Sequence, residues 1–476
     1  MHRSTWNTWT AMMVLAGALL PAGAAGSDPG DRGDGVVAFV NVNVLPMDRA
    51  GVVSGQTVVV RDGIIVAMGD AGTVTIPDDA VRIDGTGRFL MPGLAEMHAH
   101  VPPVPDPPRD QLEDILFLYV ANGVTTIRGM LGQSYQLDLA RELERGEILG
   151  PTLYVGAPSL SGATAPDPET AERMVRAHHA AGYDLQKIHP GLSLETWDRM
   201  TAVAREVGMT FGGHVPSDVG LIHAIETGMS TVDHLDGYVQ AVAGDDVVSQ
   251  INTGRPISLD GLIGGVDERR VDALVRLTLE HDVYVVPTLY LWENLYGTGD
   301  PEPFLRLSEM RYVSQAQRDA WRRQAAPGPK GSPDALEAFF DLRKHILGKL
   351  ADAGAGILMG TDSPQMFNVP GFALHREIRL MADAGMTHHQ ILLSGTATVA
   401  RYVADHLGLE SNFGTVAVGN RADLVLLESN PLEALENLTD RVGVMVRGRW
   451  VTRSQIDAGL ERLATKYSGG GTPPPE

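Results

Sequence analysis

The feature that most constrains the fold is an alternation. Between about residues 91 and 406, short apolar runs alternate with stretches of helical periodicity, and the pattern repeats eight times. The predicted strands are 94–98, 124–128, 152–156, 184–189, 209–214, 231–235, 283–287 and 357–360. A strand whose following helix returns the chain to a parallel neighbour is a βα unit. Eight such units fit a closed (β/α)8 barrel of the TIM type better than an open sheet, so the expected fold class is α/β. The stretch 194–207, between the fourth and fifth strands, carries its apolar residues near helical spacing.

Both ends of the chain read differently. Residues 36–40, 57–60 and 64–66 are β-like, with Arg61-Asp62-Gly63 as a turn. The same character returns at 423–427 and 444–446, and Arg447-Gly448-Arg449 precedes Trp450-Val451. Two β-rich ends flanking a different middle predict one small β-sandwich domain built from 36–90 plus 410–455. Two connections within the barrel are long, 238–267 and 292–350, the second with a charged helical stretch at 311–323. Long insertions after barrel strands commonly shape a substrate site. They also serve as surface decoration or dimer contacts, which leaves a homo-oligomer open.

The N-terminus reads as an export signal over residues 1–24. Arg3 supplies a positive start, 11–20 is apolar, and Ala22-Gly23-Ala24 has small residues at cleavage spacing. The apolar run is shorter than the roughly 20 residues that span a bilayer, so no membrane span is expected in the mature chain. A secreted or periplasmic protein, cleaved near Ala24, is the expectation. A Gly/Asp-rich linker follows at 26–35, and the Gly/Pro-rich tail 468–476 is expected to be disordered.

With 38 Lys and Arg against 59 Asp and Glu, the net charge is −21, which excludes nucleic acid as a natural partner. The partner expected is a small-molecule substrate. No cysteine is present, so disulfides, thiolate metal sites and a cysteine nucleophile are all excluded. Any metal must be held by histidine, carboxylate or a modified side chain.

Residues of that chemistry stand at the predicted strand ends. His98 and His100 end the first strand at i and i+2, which puts both on one side of it. At the C-terminal end of a barrel strand they converge on the mouth, where barrel enzymes keep their chemistry, and imidazole suits zinc and similar metals. Lys187 lies in an apolar strand, where an exposed lysine is unexpected. It is either a rim lysine paired with a carboxylate or an amine that takes up carbon dioxide. The resulting carbamate has two oxygens and can bridge two cations. His214 and His234 end strands five and six; each alone would be an ordinary structural histidine, but consecutive strand ends make coincidence a poor account. Asp362, in Met359-Gly360-Thr361-Asp362-Ser363-Pro364, ends strand eight. It is either a turn cap or a metal ligand and proton acceptor.

These stretches together resemble the amidohydrolase superfamily over nearly the whole chain after the leader. Pro92-Gly93-Leu94 before the paired histidines and the closing segment from Gly414 to Leu424 add to the likeness. Gly123-Val124-Thr125-Thr126-Ile127-Arg128 and Leu374-His375-Arg376-Glu377-Ile378 resemble the imidazolonepropionase-related group, which includes Xaa-Pro-type dipeptidases and ochratoxinase-like amidases. The resemblance implies that His98, His100 and Asp362 hold one divalent metal and His214 and His234 a second. Carbamylated Lys187 would bridge two ions, expected to be zinc. Imidazolonepropionase itself has one metal and no such lysine, so Lys187 favours the dipeptidase-like branch. The implied activity is cleavage of an amide or peptide-like C–N bond, in a dipeptide or N-acyl amino acid, by metal-activated hydroxide. Asp362 would be the catalytic base. Tyr238, His189 and His375 are weaker candidates for binding substrate or supporting the site. A lactonase or esterase on the same site, or a metal-binding barrel without catalysis, are the alternatives.

Overall fold

The computed structural model describes residues 35–244, 258–297, 300–325 and 331–468. The leader 1–24 and nearly all of the tail 468–476 lie outside them; Ser468 closes the helix Arg453–Ser468. Among the described residues no helix is long and apolar enough to cross a membrane.

The two chain ends form one mixed sheet. Its strands are β1 (Val36–Val44), β2 (Val53–Arg61), β3 (Ile64–Asp70), β4 (Val81–Asp84) and β5 (Phe89–Pro92) from the N-terminal side. From the C-terminal side come strands Leu424–Leu427, Arg441–Val446 and Arg449–Thr452. The join is antiparallel: Leu424 to Leu427 pair with Pro92 back to Phe89. The valine-rich β1 and β2 fill both faces, with Phe39, Val42, Val58 and Leu424 packed on one and Ala38 and Val59 on the other.

The middle closes into a barrel. Strands β6 (Leu94–Ala99), β7 (Val124–Gly129) and β8 (Thr152–Val155) pair in parallel, as do β9 (Gln186–Ile188), β10 (Phe211–Gly213), β11 (Thr231–Asp233) and β12 (Tyr284–Val286). Single bridges close the gaps: Gly156 to Leu185, Val285 to Ile357, and Ala99 to Ser363. The eighth predicted strand, 357–360, is therefore a set of bridging contacts rather than a ladder. Its one glycine admits close neighbours: a Cβ on Gly360 would lie 2.5 Å from Val286 Cγ1 and 3.0 Å from the His98 nitrogen.

The helix expected at 194–207 is the observed Leu194–Val207. Ser193 accepts from Thr196 N at its start and Gly208, at φ 75°, ends it, while Trp197, Met200 and Val203 are buried beneath. The segment 292–350, expected as a long loop, is largely helical: Leu289–Gly297, Glu302–Leu305, Gln315–Ala325 and Pro333–Asp352, with a 3-10 turn Ser308–Tyr312. The charged stretch 311–323 thus starts later than expected, because Arg311 falls in the turn. Trp321, Phe339, Ile346 and Leu350 bury an apolar face that makes these helices part of the body of the barrel. Of the other long connection, Tyr238–Ala241 and Leu259–Ile263 are short helices, and 245–257 lies outside the described residues.

Candidate metal centre

The C-terminal ends of the barrel strands place all six expected side chains together. His98 and His100 come from β6 and the residue after it, Lys187 from β9, His214 and His234 from the residues following β10 and β11, and Asp362 from the segment between the bridging residues Ile357 and Ser363. One ligand atom each from His98, His234 and Asp362 fall within 4.8 Å of one another. The Lys187 Nζ is 3.2 Å from His98 Nε2. His100 Nε2 is 2.9 Å from Asp362 Oδ1, and His234 Nε2 is 3.9 Å from Asp362 Oδ2. The His234 ring sits 4.4 Å from both the His98 and the His214 rings, centroid to centroid.

The backbone is strained to reach this arrangement. His234, Leu235 and Asp362 have φ of 65°, 51° and 65°, in the left-handed region that L-residues with side chains avoid. Gly213 makes room for the lysine. At its φ of 124°, a Cβ would stand 2.6 Å from Ile188 O and 3.0 Å from Lys187 Cδ.

Outer partners orient the rings. His214 Nδ1 is 2.7 Å from Asp236 Oδ2, and His234 Nδ1 is 2.8 Å from Thr288 Oγ1. His98 Nδ1 lies 2.7 Å from Asp233 Oδ2, a close polar contact off the line of the ring N–H. Arg128 grips Asp233 with Nη2 at 3.1 and 3.0 Å, donates through Nε to Met97 O, and reaches Thr231 and Tyr402 with Nη1. Each Nδ1 so engaged leaves Nε2 turned to the cluster, the arrangement produced in metal sites by carboxylates and hydroxyls that hold the far side of the ring. Glu96 ties the first strand to the last: it accepts from His98 N, Thr361 N and Thr361 Oγ1, and burial raises its pKa to about 8.

The electrostatics suit a cation. Burial above all, then the Lys187 charge for His98 and the His214 charge for His234, holds these imidazoles well below their usual pKa, hence neutral and able to donate a lone pair. His100 Nε2, His234 Nε2 and Asp362 Oδ1 are buried and make no hydrogen bond, a costly condition that a coordinated ion would relieve. The buried His98, His234 and Asp362 form a metal-binding triad. Lys187 is fully buried, has no carboxylate at ion-pair distance among the described residues, and has its pKa lowered to about 8 by burial.

The weaker candidates divide. His189 stacks on His214 with centroids 5.0 Å apart, half-buried at the edge of the cluster, and burial lowers its pKa to about 3. Tyr238 is turned inward: its buried hydroxyl is 2.7 Å from Thr278 Oγ1, so it is not placed to hold substrate. His375 faces the other domain, 3.4 Å from Arg441 Nη1, so it does not support the cluster. Arg128, Asp233, Asp236, Thr288 and Glu96 carry much of the geometry, and sequence reasoning did not single them out as site residues. Their available signal was charge within apolar strands, as in Thr231-Val232-Asp233.

Comparison with known proteins agrees with this geometry. Residues 89–451 match the profile of the Amidohydrolase family. Over 425 residues the chain is 22% identical to the imidazolonepropionase of Rhizobium rhizogenes, which covers 85% of this chain and 94% of that protein. The bottromycin amidohydrolase structure superimposes with a TM-score of 0.68 at 24% identity, covering 96% of this chain and 98% of that one. A Xaa-Pro dipeptidase with methionine bound in its active site gives 0.62 at 17% identity, covering 88% and 100%.

Proposed function

Because the chain belongs to the amidohydrolase family, a metal-dependent hydrolase acting on C–N bonds, we propose that it cleaves the amide bond of a dipeptide or N-acyl amino acid with two metal ions. The observation that carries this reading is Lys187, a fully buried amine with no carboxylate at ion-pair distance among the described residues, 3.2 Å from His98 Nε2. A lysine in that position is costly as an ammonium. As a carbamate it becomes an anion suited to two cations: the amine lone pair bonds the carbon of carbon dioxide and one N–H proton leaves to solvent. His98, His100 and Asp362 would then hold one ion, His214 and His234 the other, and Lys187 would bridge them. Neutral imidazoles with a carboxylate suit zinc. Structural likeness to a Xaa-Pro dipeptidase agrees with a dipeptide substrate.

When bound, the ions supply Lewis acidity, which lowers the pKa of water from 15.7 to about 7 and polarises the scissile carbonyl. The protein's own groups do the rest. Asp233 and Asp236 hold two imidazoles in register for the ions. Asp362 accepts the proton from the attacking water and passes it to the leaving nitrogen as the C–O bond forms and the C–N bond breaks. Near-complete burial of His98, Lys187 and His234 excludes bulk water from the reacting atoms. We further propose that the protein is exported and cleaved near Ala24, in keeping with scavenging of extracellular peptides.

The test is metal analysis with a panel of dipeptides, N-acyl amino acids and lactones. Two ions per chain and turnover of the amides are expected, with loss of one ion and most activity in Lys187→Ala and partial rescue by short carboxylic acids. Turnover confined to lactones would reject the amidase reading, and bound metal without turnover would favour a non-catalytic barrel.

A further inference from the structure

Thr288 has an unusual partner for its place in the chain. It stands directly before the helix Leu289–Gly297, where a threonine ordinarily turns its side-chain oxygen onto the first N–H groups of its own helix. Here Oγ1 is 2.8 Å from His234 Nδ1 instead, on a backbone held at φ 43°, a conformation that β-branched residues avoid. The N–H groups that Thr288 leaves are taken from far along the chain. Glu377, on the helix Phe372–Asp383, accepts from Leu289 N with Oε1 and from Tyr290 N with Oε2, each at 2.8 Å.

Capping alone does not call for this carboxylate. Thr288 and Glu377 are both fully buried, and burial raises the Glu377 pKa to about 8, so the charge is held there against a desolvation cost. A nine-residue helix preceded by threonine can cap itself without it. The same helix also reaches His234 a second time: Trp292 Nε1 donates to His234 O at 3.0 Å, beside a bond from Arg343 Nη2 to the same oxygen. Ring and carbonyl of His234, itself at φ 65°, are thus both tied to the helix Leu289–Gly297, and Nε2 is left facing Asp362 Oδ2 at 3.9 Å.

We propose that Glu377 is a positioning residue for the metal centre: by capping the helix Leu289–Gly297 in place of Thr288, it releases Thr288 to orient His234 toward its ion. This rests on the amidohydrolase reading and adds to it a residue outside the ligand set on which one ligand depends. Without the Glu377 oxygens, Thr288 Oγ1 is the nearest acceptor that the sequence offers to the start of the helix. Each bond it makes there is lost to His234, whose ring is then free to turn away from the cluster.

The test is cobalt(II) titration of the metal-free full chain in bicarbonate, followed by visible absorption and metal analysis. His234→Ala marks the ion that His234 holds. Glu377→Gln keeps the shape of the side chain but offers one carbonyl oxygen to two N–H donors. It should weaken that ion by about tenfold, the low end for an outer partner of a ligand, and change its cobalt spectrum. The other ion should change by less than about twofold. Thr288→Val should weaken the same ion by about 10- to 100-fold, and in that background Glu377→Gln should add less than about twofold, because its route to His234 is already cut. Glu377→Asp keeps the charge but falls short of the helix; it should bring the same selective loss and guards against a folding defect in the glutamine variant. Equal weakening of both ions, or an undiminished effect of Glu377→Gln in the Thr288→Val background, would overturn the proposal and leave Glu377 a structural cap. A wild type that binds a single ion would reject the two-ion reading, and the Glu377–Thr288 cycle on that ion would still decide the proposal.

Discussion

Replacing Lys187 with methionine should make the metal-free protein more stable. The side chain is fully buried and its pKa falls from 10.5 to about 8, chiefly through burial. At about 1.4 kcal/mol per pH unit, this corresponds to about 3 kcal/mol of cost in the folded state. Methionine has nearly the same length and no charge, so it removes that cost with little change in packing. The sign follows from proton counting. Below pH 8 the lysine is protonated in both states and the full cost is present. Between about 8 and 10.5 the folded protein releases its proton while the unfolded chain keeps it, so wild-type stability rises with pH and the variant's advantage fades. Urea unfolding of metal-free protein at pH 7, 9 and 10.5 measures this directly. With zinc and bicarbonate the order should reverse, since ion binding to the native state adds about 4 kcal/mol at a thousandfold excess over Kd, and the methionine variant loses the bridge. A metal-free Lys187→Met protein less stable than wild type at pH 7, or an advantage that does not change with pH, would refute the reasoning.

Asp233→Asn should weaken metal binding by about 10- to 100-fold in chelator competition, because it loosens both His98 and the Arg128 fork behind it. Gly213→Ala should disturb both the backbone and Lys187: at φ 124° the new Cβ would meet Ile188 O at 2.6 Å and Lys187 Cδ at 3.0 Å, so both the unfolding midpoint and metal stoichiometry are expected to fall below those of wild type. Tyr238→Phe should cost about 1 kcal/mol in unfolding through the lost Thr278 bond and leave KM unchanged; a large KM change would return Tyr238 to the substrate site.

The barrel was legible because its strands are bounded by helices of clear periodicity, and seven of the eight form ladders where expected. The eighth did not, since Gly356 and Gly360 permit close approach but leave only bridging contacts. The histidines were legible because a ligand is recognisable by residue type and by its place at a strand end. Their supports were not. Thr288 reaches His234 across 54 positions and Arg128 reaches Asp233 across 105, separations that no local pattern encodes. Tyr238 misled because its place in the loop after strand six says nothing about rotamer, and its ring turns under the helix that carries Thr278. The segment 292–350 read as a loop because its helices are short and separated by Pro301 and polar turns, although Leu289–Gly297, Gln315–Ala325 and Pro333–Asp352 each bury apolar residues.

The most direct test of the account is anomalous diffraction from crystals grown with zinc and bicarbonate. Two peaks are expected, one among His98, His100 and Asp362 and one between His214 and His234, joined by carbamate density on Lys187 Nζ. A single peak with a bare Lys187 amine, or peaks remote from these side chains, would contradict it.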